Sequence, residues 1–162
     1  MKVAIIGAGP GGICMAKRLL DEGHRDLVVL ERSDGIGGTW NLNRYPGCEC
    51  DVQSALYSFS FDVKADWSKP YATQPEILAY MQDVAARHGV TPYVRTGDGV
   101  ERAEWDDAAA RWRLTCASGA VVEAEVVVSA IGMFNGLAEP DIDGLDSFAG
   151  TCFHSAQWDW SH

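Results

Sequence analysis

Apolar residues along the chain follow two rhythms. Lys2 to Ile6 is a short run, apolar after its first residue, that stops at glycines, and Leu27 to Leu30 is a second that stops at Glu31. Between them, Ile13, Cys14, Ala16, Leu19 and Leu20 recur at helical spacing inside Pro10 to Glu22. Strand, glycine-rich turn, helix and strand within about 30 residues predict one βαβ unit, whose crossover is right-handed in nearly all sheets.

The rhythm then fades. From Arg32 to Pro70, Gly, Asn, Pro and Asp are interleaved with Trp40, Tyr45, Tyr57, Phe59, Phe61 and Trp67. A connection this long is usually functional or disordered, and so many aromatics argue against disorder. Thr73-Gln-Pro-Glu76 has the form of a capping box with proline in the first turn. Ile77, Leu78, Met81, Val84, Ala85 and His88 continue at helical spacing to a stop at Gly89. Three strand-like segments follow, Val100 to Trp105, Arg111 to Ala117 and Ala120 to Ala130, separated by Asp106-Asp107 and Ser118-Gly119. They predict an antiparallel meander. The apolar stretch Val126 to Ala130 suits a strand enclosed on both faces. The expected fold class is α/β, a Rossmann-like parallel sheet with an antiparallel β-meander.

Charge and length narrow the function. The formal charge is −10, from 13 Lys and Arg against 23 Asp and Glu, so the cationic surface that binds a phosphate backbone is missing and nucleic acid is excluded as a partner. No run approaches the roughly 18 apolar residues of a membrane span, and a first strand starting at Lys2 leaves no room for a signal peptide. A cytoplasmic protein without a membrane partner is expected. Five cysteines, Cys14, Cys48, Cys50, Cys116 and Cys152, lack paired C-x-x-C spacing, so neither disulfides nor a metal site is expected. At 162 residues the chain suits one cofactor site but is short for two dinucleotides and a substrate.

The chemistry is concentrated in the first glycines. Gly7-Ala-Gly9-Pro10-Gly-Gly12 is G-x-G-x-x-G placed directly after a strand and opening a helix. Gly7 permits the tight turn, Gly9 lets a pyrophosphate approach the backbone, and Gly12 allows close helix-to-strand packing. Free amides and the helix dipole stabilise the anion. Glu31, 19 residues after Gly12 at the end of the second strand, is placed to accept hydrogen bonds from a ribose. A carboxylate there favours a free 2′-hydroxyl over a 2′-phosphate, so FAD or NAD fits better than NADP.

Glycines continue through Gly35, Gly37 and Gly38 to Thr39-Trp40, and Ser129-Ala-Ile-Gly132 closes the last apolar strand. This arrangement resembles the FAD domain of the glutathione-reductase-like flavoproteins. Asn43-Arg-Tyr-Pro-Gly-Cys-Glu-Cys-Asp-Val52, followed by Ser54, Tyr57 and Ser58, is similar to the class B flavoprotein monooxygenases. Phe148, Gly150, His154 and Trp158, with Asp159 last, fit F-x-G-x-x-x-H-x-x-x-W-(P/D), which resembles the fingerprint of type I Baeyer–Villiger monooxygenases. The related N- and S-oxygenating enzymes usually carry another aromatic at the Trp158 position.

The resemblance implies FAD as cofactor, NADPH in the complete protein, and a ketone or heteroatom substrate. It gives Gly7, Gly9 and Gly12, with Pro10, the pyrophosphate, and Glu31, with Arg32 beside it, the ribose. Gly38, Thr39, Trp40, Asn41 and Leu42 form the loop around the pyrophosphate and flavin. Asp51 becomes the catalytic aspartate beside the flavin ring and nicotinamide, Tyr57 a further FAD contact, and Val100 an adenine contact through its backbone. His154 and Trp158 lie on a linker coupling domain movements, conformational rather than acid–base residues. Plain readings stand beside these. Asp51 could cap a turn, Trp40, Tyr45 and Tyr57 could be core aromatics, and His24 and His88 are simplest as surface residues at helix ends. Glu49 departs from the family, where an arginine usually precedes the Cys-Asp pair, and sets an anion near the nicotinamide path.

Two regions follow, 1–132 as the N-terminal part of an FAD domain and 133–162 as a linker toward an NADPH domain. A second G-x-G-x-x-G does not occur in the chain, so the chain alone is expected to be inactive in turnover. A homodimer or a complementing C-terminal fragment is the expected protein partner, and a stand-alone FAD-binding module without turnover is the alternative.

Overall fold

A computed structural model describes residues 1–134 and 136–162. The predicted βαβ unit is present as β1 (Val3–Ile6), α1 (Pro10–Asp21) and β2 (Leu27–Leu30). The strands are nearly all buried, as parallel strands covered on both faces must be. After β2 come a single helical turn, α2 (Thr39–Leu42), then α3 (Gln74–Arg87) and a two-residue strand, β3 (Val94–Arg95), too short to leave a periodic signal. The meander is β4 (Val100–Asp106), β5 (Arg111–Cys116) and β6 (Val121–Ala124), and β7 (Val126–Ser129) follows.

The last predicted strand is thus two. Val121 to Ala124 alternates exposed and buried residues and stays with β5, whereas Val126 to Ser129 crosses into the other sheet and pairs parallel to β1. The break falls at Glu125. The amides of Glu125 and Val126 both donate to the Lys2 carbonyl, which turns the chain from one sheet to the next. The parallel sheet has the order β3-β2-β1-β7, so β7 is an outer strand. Its residues are half-buried or exposed rather than enclosed on both faces, because β1 covers one edge only.

Three layers result. Val3, Ile5, Leu27 and Val29 face α1 and α3, where Ile13, Ala16, Ile77, Met81, Val84 and Ala85 close one core. Ala4, Val28 and Leu30 face the meander, whose Leu114, Cys116, Val122 and Ala124 close the other. Period-two alternation within β1 and β2 builds both cores from the same strands. Each fully buried aliphatic side chain contributes about 1.5–3 kcal/mol. The five cysteines are free thiols, with Cys48, Cys50 and Cys116 buried. Among the described residues no helix is long and apolar enough to cross a membrane.

The long connection is ordered by its aromatics. Phe59, Phe61, Tyr57 and Trp67 pack on the first core, and Tyr80 on α3 donates its hydroxyl to the Asp62 carbonyl while accepting the Phe59 amide. Two expectations fail here. The capping box does not form: Thr73 makes no side-chain cap, and Glu76 accepts instead from the amide and hydroxyl of Ser68 at 3.0 and 2.7 Å. Nor is His88 a plain surface residue. Its Nε2 lies 2.8 Å from the Asp62 carboxylate, which also meets Arg87 at 3.2 Å, and its ring sits edge-on to Phe61. The loop supplies partners that no local pattern could reveal.

Candidate functional site

Parallel register aligns the strand ends. Ile6 lies opposite both Leu30 and Ser129, so the turns after β1, β2 and β7 open along one edge of the sheet. β1 leads to β2 on one side and receives β7 on the other, which makes this edge a topological switch point, where open α/β sheets bind ligands.

The glycines there are dictated by contact. A β-carbon at Gly12 would stand 1.9 Å from the Gly7 carbonyl oxygen, so α1 approaches β1 as no other residue permits. Gly7 has φ +104°, and a β-carbon on it would meet the Ala130 carbonyl oxygen at 2.5 Å. Gly38, with φ +57°, brings the second glycine turn against the first, where its β-carbon would lie 2.7 Å from the Gly9 Cα. The Gly37 amide donates to the Ala8 carbonyl at 3.0 Å and clamps the two turns. The floor before the α1 N-terminus is therefore bare backbone, with first-turn amides that lack an intrahelical acceptor. The chemistry of such a floor is anion binding.

Glu31 stands beside this floor and is buried. One carboxylate oxygen accepts the Ala8 amide at 2.7 Å, and the other accepts the amide and hydroxyl of Ser33, both at 2.8 Å. A carboxylate offers about four acceptor sites, so capacity for a ribose hydroxyl remains. The β4 approach joins the same cluster. The amides of Gly97 and Asp98 donate to the carbonyls of Ser33 and Glu31, and a β-carbon at Gly99 would meet the Arg32 Cβ at 2.6 Å. Glu31, Arg32 and half-buried Val100 are thereby gathered at one corner.

The second turn is held from behind. Trp40 is buried in the first core and its indole N–H donates to the Tyr57 hydroxyl at 2.8 Å, with the rings edge-to-face at 5.6 Å. Trp40 lies on α2 and Tyr57 on the long loop, and both pack on the first core. Burial raises the Tyr57 hydroxyl pKa above the usual phenol range; the bond from Trp40 opposes this, and the charges of Cys50 and Asp51 add to it. Tyr45 is half-buried against the same core. Asn41 is buried and donates to the Asp34 carboxylate at 3.0 Å, Arg44 returns to the Asn41 side-chain oxygen at 2.7 Å, and Asn43 binds the Thr39 hydroxyl and carbonyl. Leu42 closes the turn with its amide on the Gly38 carbonyl.

Gln74 is a residue that sequence reasoning missed. It is buried, its side-chain amide donates to the Trp40 carbonyl, and its backbone amide donates to the Cys48 carbonyl at 2.9 Å. It joins the glycine turn to the segment that carries Asp51. In sequence it reads only as a polar first-turn residue, so nothing local marks it. Asp51 itself is exposed at a bend, after Cys50 donates its amide to Ala72 at 3.0 Å. Glu49 is not an isolated anion, since Lys69 Nζ meets it at 2.8 Å.

Among its described residues the last segment contains neither α-helix nor strand. The Phe148 ring folds over Gly150, where a β-carbon would come within 2.5 Å of it. His154 accepts the Ala156 amide on Nδ1 at 3.0 Å, and Trp158 sits edge-on to Phe153 at 5.0 Å. Two local turns result, and among the described residues neither is hydrogen-bonded to the glycine loop. Two surface cavities, about 440 and 690 Å³, lie near α3 and the loop before it and include none of the loop glycines.

Fold and site together define a dinucleotide-binding domain with two apposed glycine turns. Residues 5–84 match the family described as NAD(P)-binding Rossmann-like domain. The chain is 47% identical over 159 residues to a Baeyer–Villiger monooxygenase of Streptomyces coelicolor, covering 98% of this chain and 30% of that protein. Its fold matches the closed crystal structure of cyclohexanone monooxygenase with a TM-score of 0.90 at 38% identity, over 99% of this chain and 31% of the other. It also matches OTEMO in complex with FAD and NADP, with a TM-score of 0.89 at 33% identity, over 99% and 31%. By sequence and by fold the chain is similar, over nearly its whole length, to Baeyer–Villiger monooxygenases of the class B flavoprotein type, and it spans less than a third of the length of these relatives.

Proposed function

We propose that this chain forms the FAD-binding part of a cytoplasmic, NADPH- and O2-dependent monooxygenase, and that the whole protein inserts oxygen into ketones to give esters or lactones. The observation that carries the reading is the packing of Gly38 on Gly9, which lays bare backbone before the α1 N-terminus and beside Glu31. A pyrophosphate fits that floor and a side chain does not. Bound FAD, reduced by a nicotinamide, supplies the electrons that activate O2.

The chain's own residues bind and orient. Gly9 and Gly12 present amides to the pyrophosphate, Gly7 shapes the turn with its own amide on the Leu30 carbonyl, Pro10 starts α1 without an N–H, Glu31 accepts from the ribose, and Arg32 and Val100 border the adenosine. Gly38 to Leu42 frame the pyrophosphate and flavin side, with Trp40 and Tyr57 fixing that turn from the core. Asp51 faces the flavin and nicotinamide region, and the Glu49–Lys69 pair keeps the neighbouring charge balanced. Residues 1–132 are the binding part, and 133–162, with Phe148, Gly150, His154 and Trp158, the link toward a nicotinamide-binding region. That region comes from the remainder of a longer chain or from a complementing fragment.

Gel filtration of the purified chain after incubation with FAD tests the first half. Flavin absorbance co-eluting with the protein is expected, and a colourless protein peak would overturn FAD binding by this segment. The second half is tested on the complete protein with NADPH, O2 and a panel of cyclic ketones, amines and sulfides. Lactone formation is expected, and N-oxides or sulfoxides as the only products would replace the ketone reading.

A further inference from the structure

β4 has seven residues and, among the described residues, is hydrogen-bonded along one side only, to β5. Glu101 to Trp105 are all exposed. An edge of this kind offers unpaired amides and carbonyls to another strand, and proteins usually blunt it with a bulge or with charged side chains, which here are of both signs, Arg102 beside Glu104. Here the irregularity is confined to the Val100–Arg102 step, and Arg102 to Asp106 runs in regular register.

We propose that this edge pairs antiparallel with the same edge of a second copy, two-fold about Ala103, joining two three-stranded meanders into one six-stranded sheet. Symmetry limits the registers. A two-fold antiparallel pair that keeps the same face of both sheets together must centre on a residue facing its own copy. Centring on Arg102 or on Glu104 sets like charges directly opposite. Centring on Ala103 sets Arg102 against Glu104 of the second copy, and Glu104 against its Arg102. Within one copy these side chains already meet at 2.7 Å, so four charges of alternating sign gather on one face. On the other face the small Ala103 side chains meet at the axis, flanked by Trp105, which is 45% exposed and stacked edge-on to Trp112 at 5.6 Å.

The contact is short, and the charge of −10 on each copy opposes it. It therefore falls in the weak, concentration-dependent class of interfaces. The proposal does not depend on the cofactor reading.

Sedimentation velocity across a wide concentration range tests it on four proteins: wild type, R102E, E104R and the double reversal R102E/E104R. Wild type should show reversible monomer–dimer exchange. Each single reversal replaces two opposite-charge pairs with two like-charge pairs and should weaken the dimer about tenfold or more. The double reversal should restore wild-type affinity, and an equimolar mixture of the two single variants should form a heterodimer. Both side chains are largely exposed, at 69% and 52%, so far-UV circular dichroism and melting should not change. A monomer at every concentration, or a dimer of equal strength in all four proteins, would overturn the proposal. So would a double reversal as weak as the single variants, which would rule out the Ala103 register.

Discussion

Gly12→Ala presses hardest on the reasoning about the site. The added carbon would lie 1.9 Å from the Gly7 carbonyl oxygen, where ordinary contact begins at 3.4 Å, so the two must part by about 1.5 Å. Gly7 has little freedom to move, since its amide is held by the Leu30 carbonyl and a β-carbon on it would already meet the Ala130 carbonyl oxygen at 2.5 Å. The strain falls on the α1–β1 contact that sets the anion floor. Overpacking a close-packed interior costs about 1–3 kcal/mol, and with backbone on both sides the upper end, about 3 kcal/mol, applies. At this chain length that lowers the melting temperature by about 6–12 °C. Gly11→Ala is the matched control one residue away. Its β-carbon would meet only the Ala130 Cβ at 3.7 Å, and alanine in place of a helical glycine stabilises by about 0.5–1 kcal/mol. Thermal unfolding by circular dichroism and FAD co-elution should separate the two, with Gly12→Ala melting early and eluting colourless. A Gly12→Ala protein that melts with wild type and keeps FAD would refute the packing argument.

Other outcomes follow from the same geometry. Glu31→Gln puts an amide donor against the Ala8 amide or the Ser33 donors and should cost about 1.5–3 kcal/mol in urea unfolding, the range for a hydrogen bond to a charged group, together with weaker FAD retention. Gln74→Leu leaves the Trp40 carbonyl without its buried donor and should cost about 1–3 kcal/mol, with faster proteolysis between Gly37 and Cys50 as the local readout. The hydroxyl and then the amide of Ser68 hold the Glu76 carboxyl below its ordinary range. Because the folded value is lowered, this tie is complete above the unfolded pKa of about 4.3 and is lost as pH falls through the lowered value. Urea midpoints measured down the acid limb should therefore fall less steeply in Glu76→Gln than in wild type, and identical slopes would show that the tie contributes nothing.

Much of the site was legible because its demands are local. Gly7, Gly9 and Gly12 are specified by spacing after an apolar run, and Glu31 by its place at the next run's end. Their physics is steric and short-range, so residue type at fixed separation carries it. Glu76, His88 and Gln74 were misjudged or missed for the opposite reason. Each is satisfied by a residue distant in sequence, Ser68, Asp62 and Trp40 respectively, and a helical pattern is silent about such partners.

The amino-acid sequence by itself determined the βαβ unit, the α3 stripe and the position of the glycine turns. Periodicity and steric allowance are properties of neighbouring residues, and both can be read without a fold. Tertiary structure alone decided that Ala120 to Ala130 divides at Glu125 between two sheets and that β7 lies at an edge. It alone brought Gly38 onto Gly9 and turned the Glu31 carboxylate to the Ala8 amide. Apolar runs state that a strand will be buried, but which strand it pairs with is a choice among distant segments, made by the layer that covers the most apolar surface while leaving no buried backbone group unpaired.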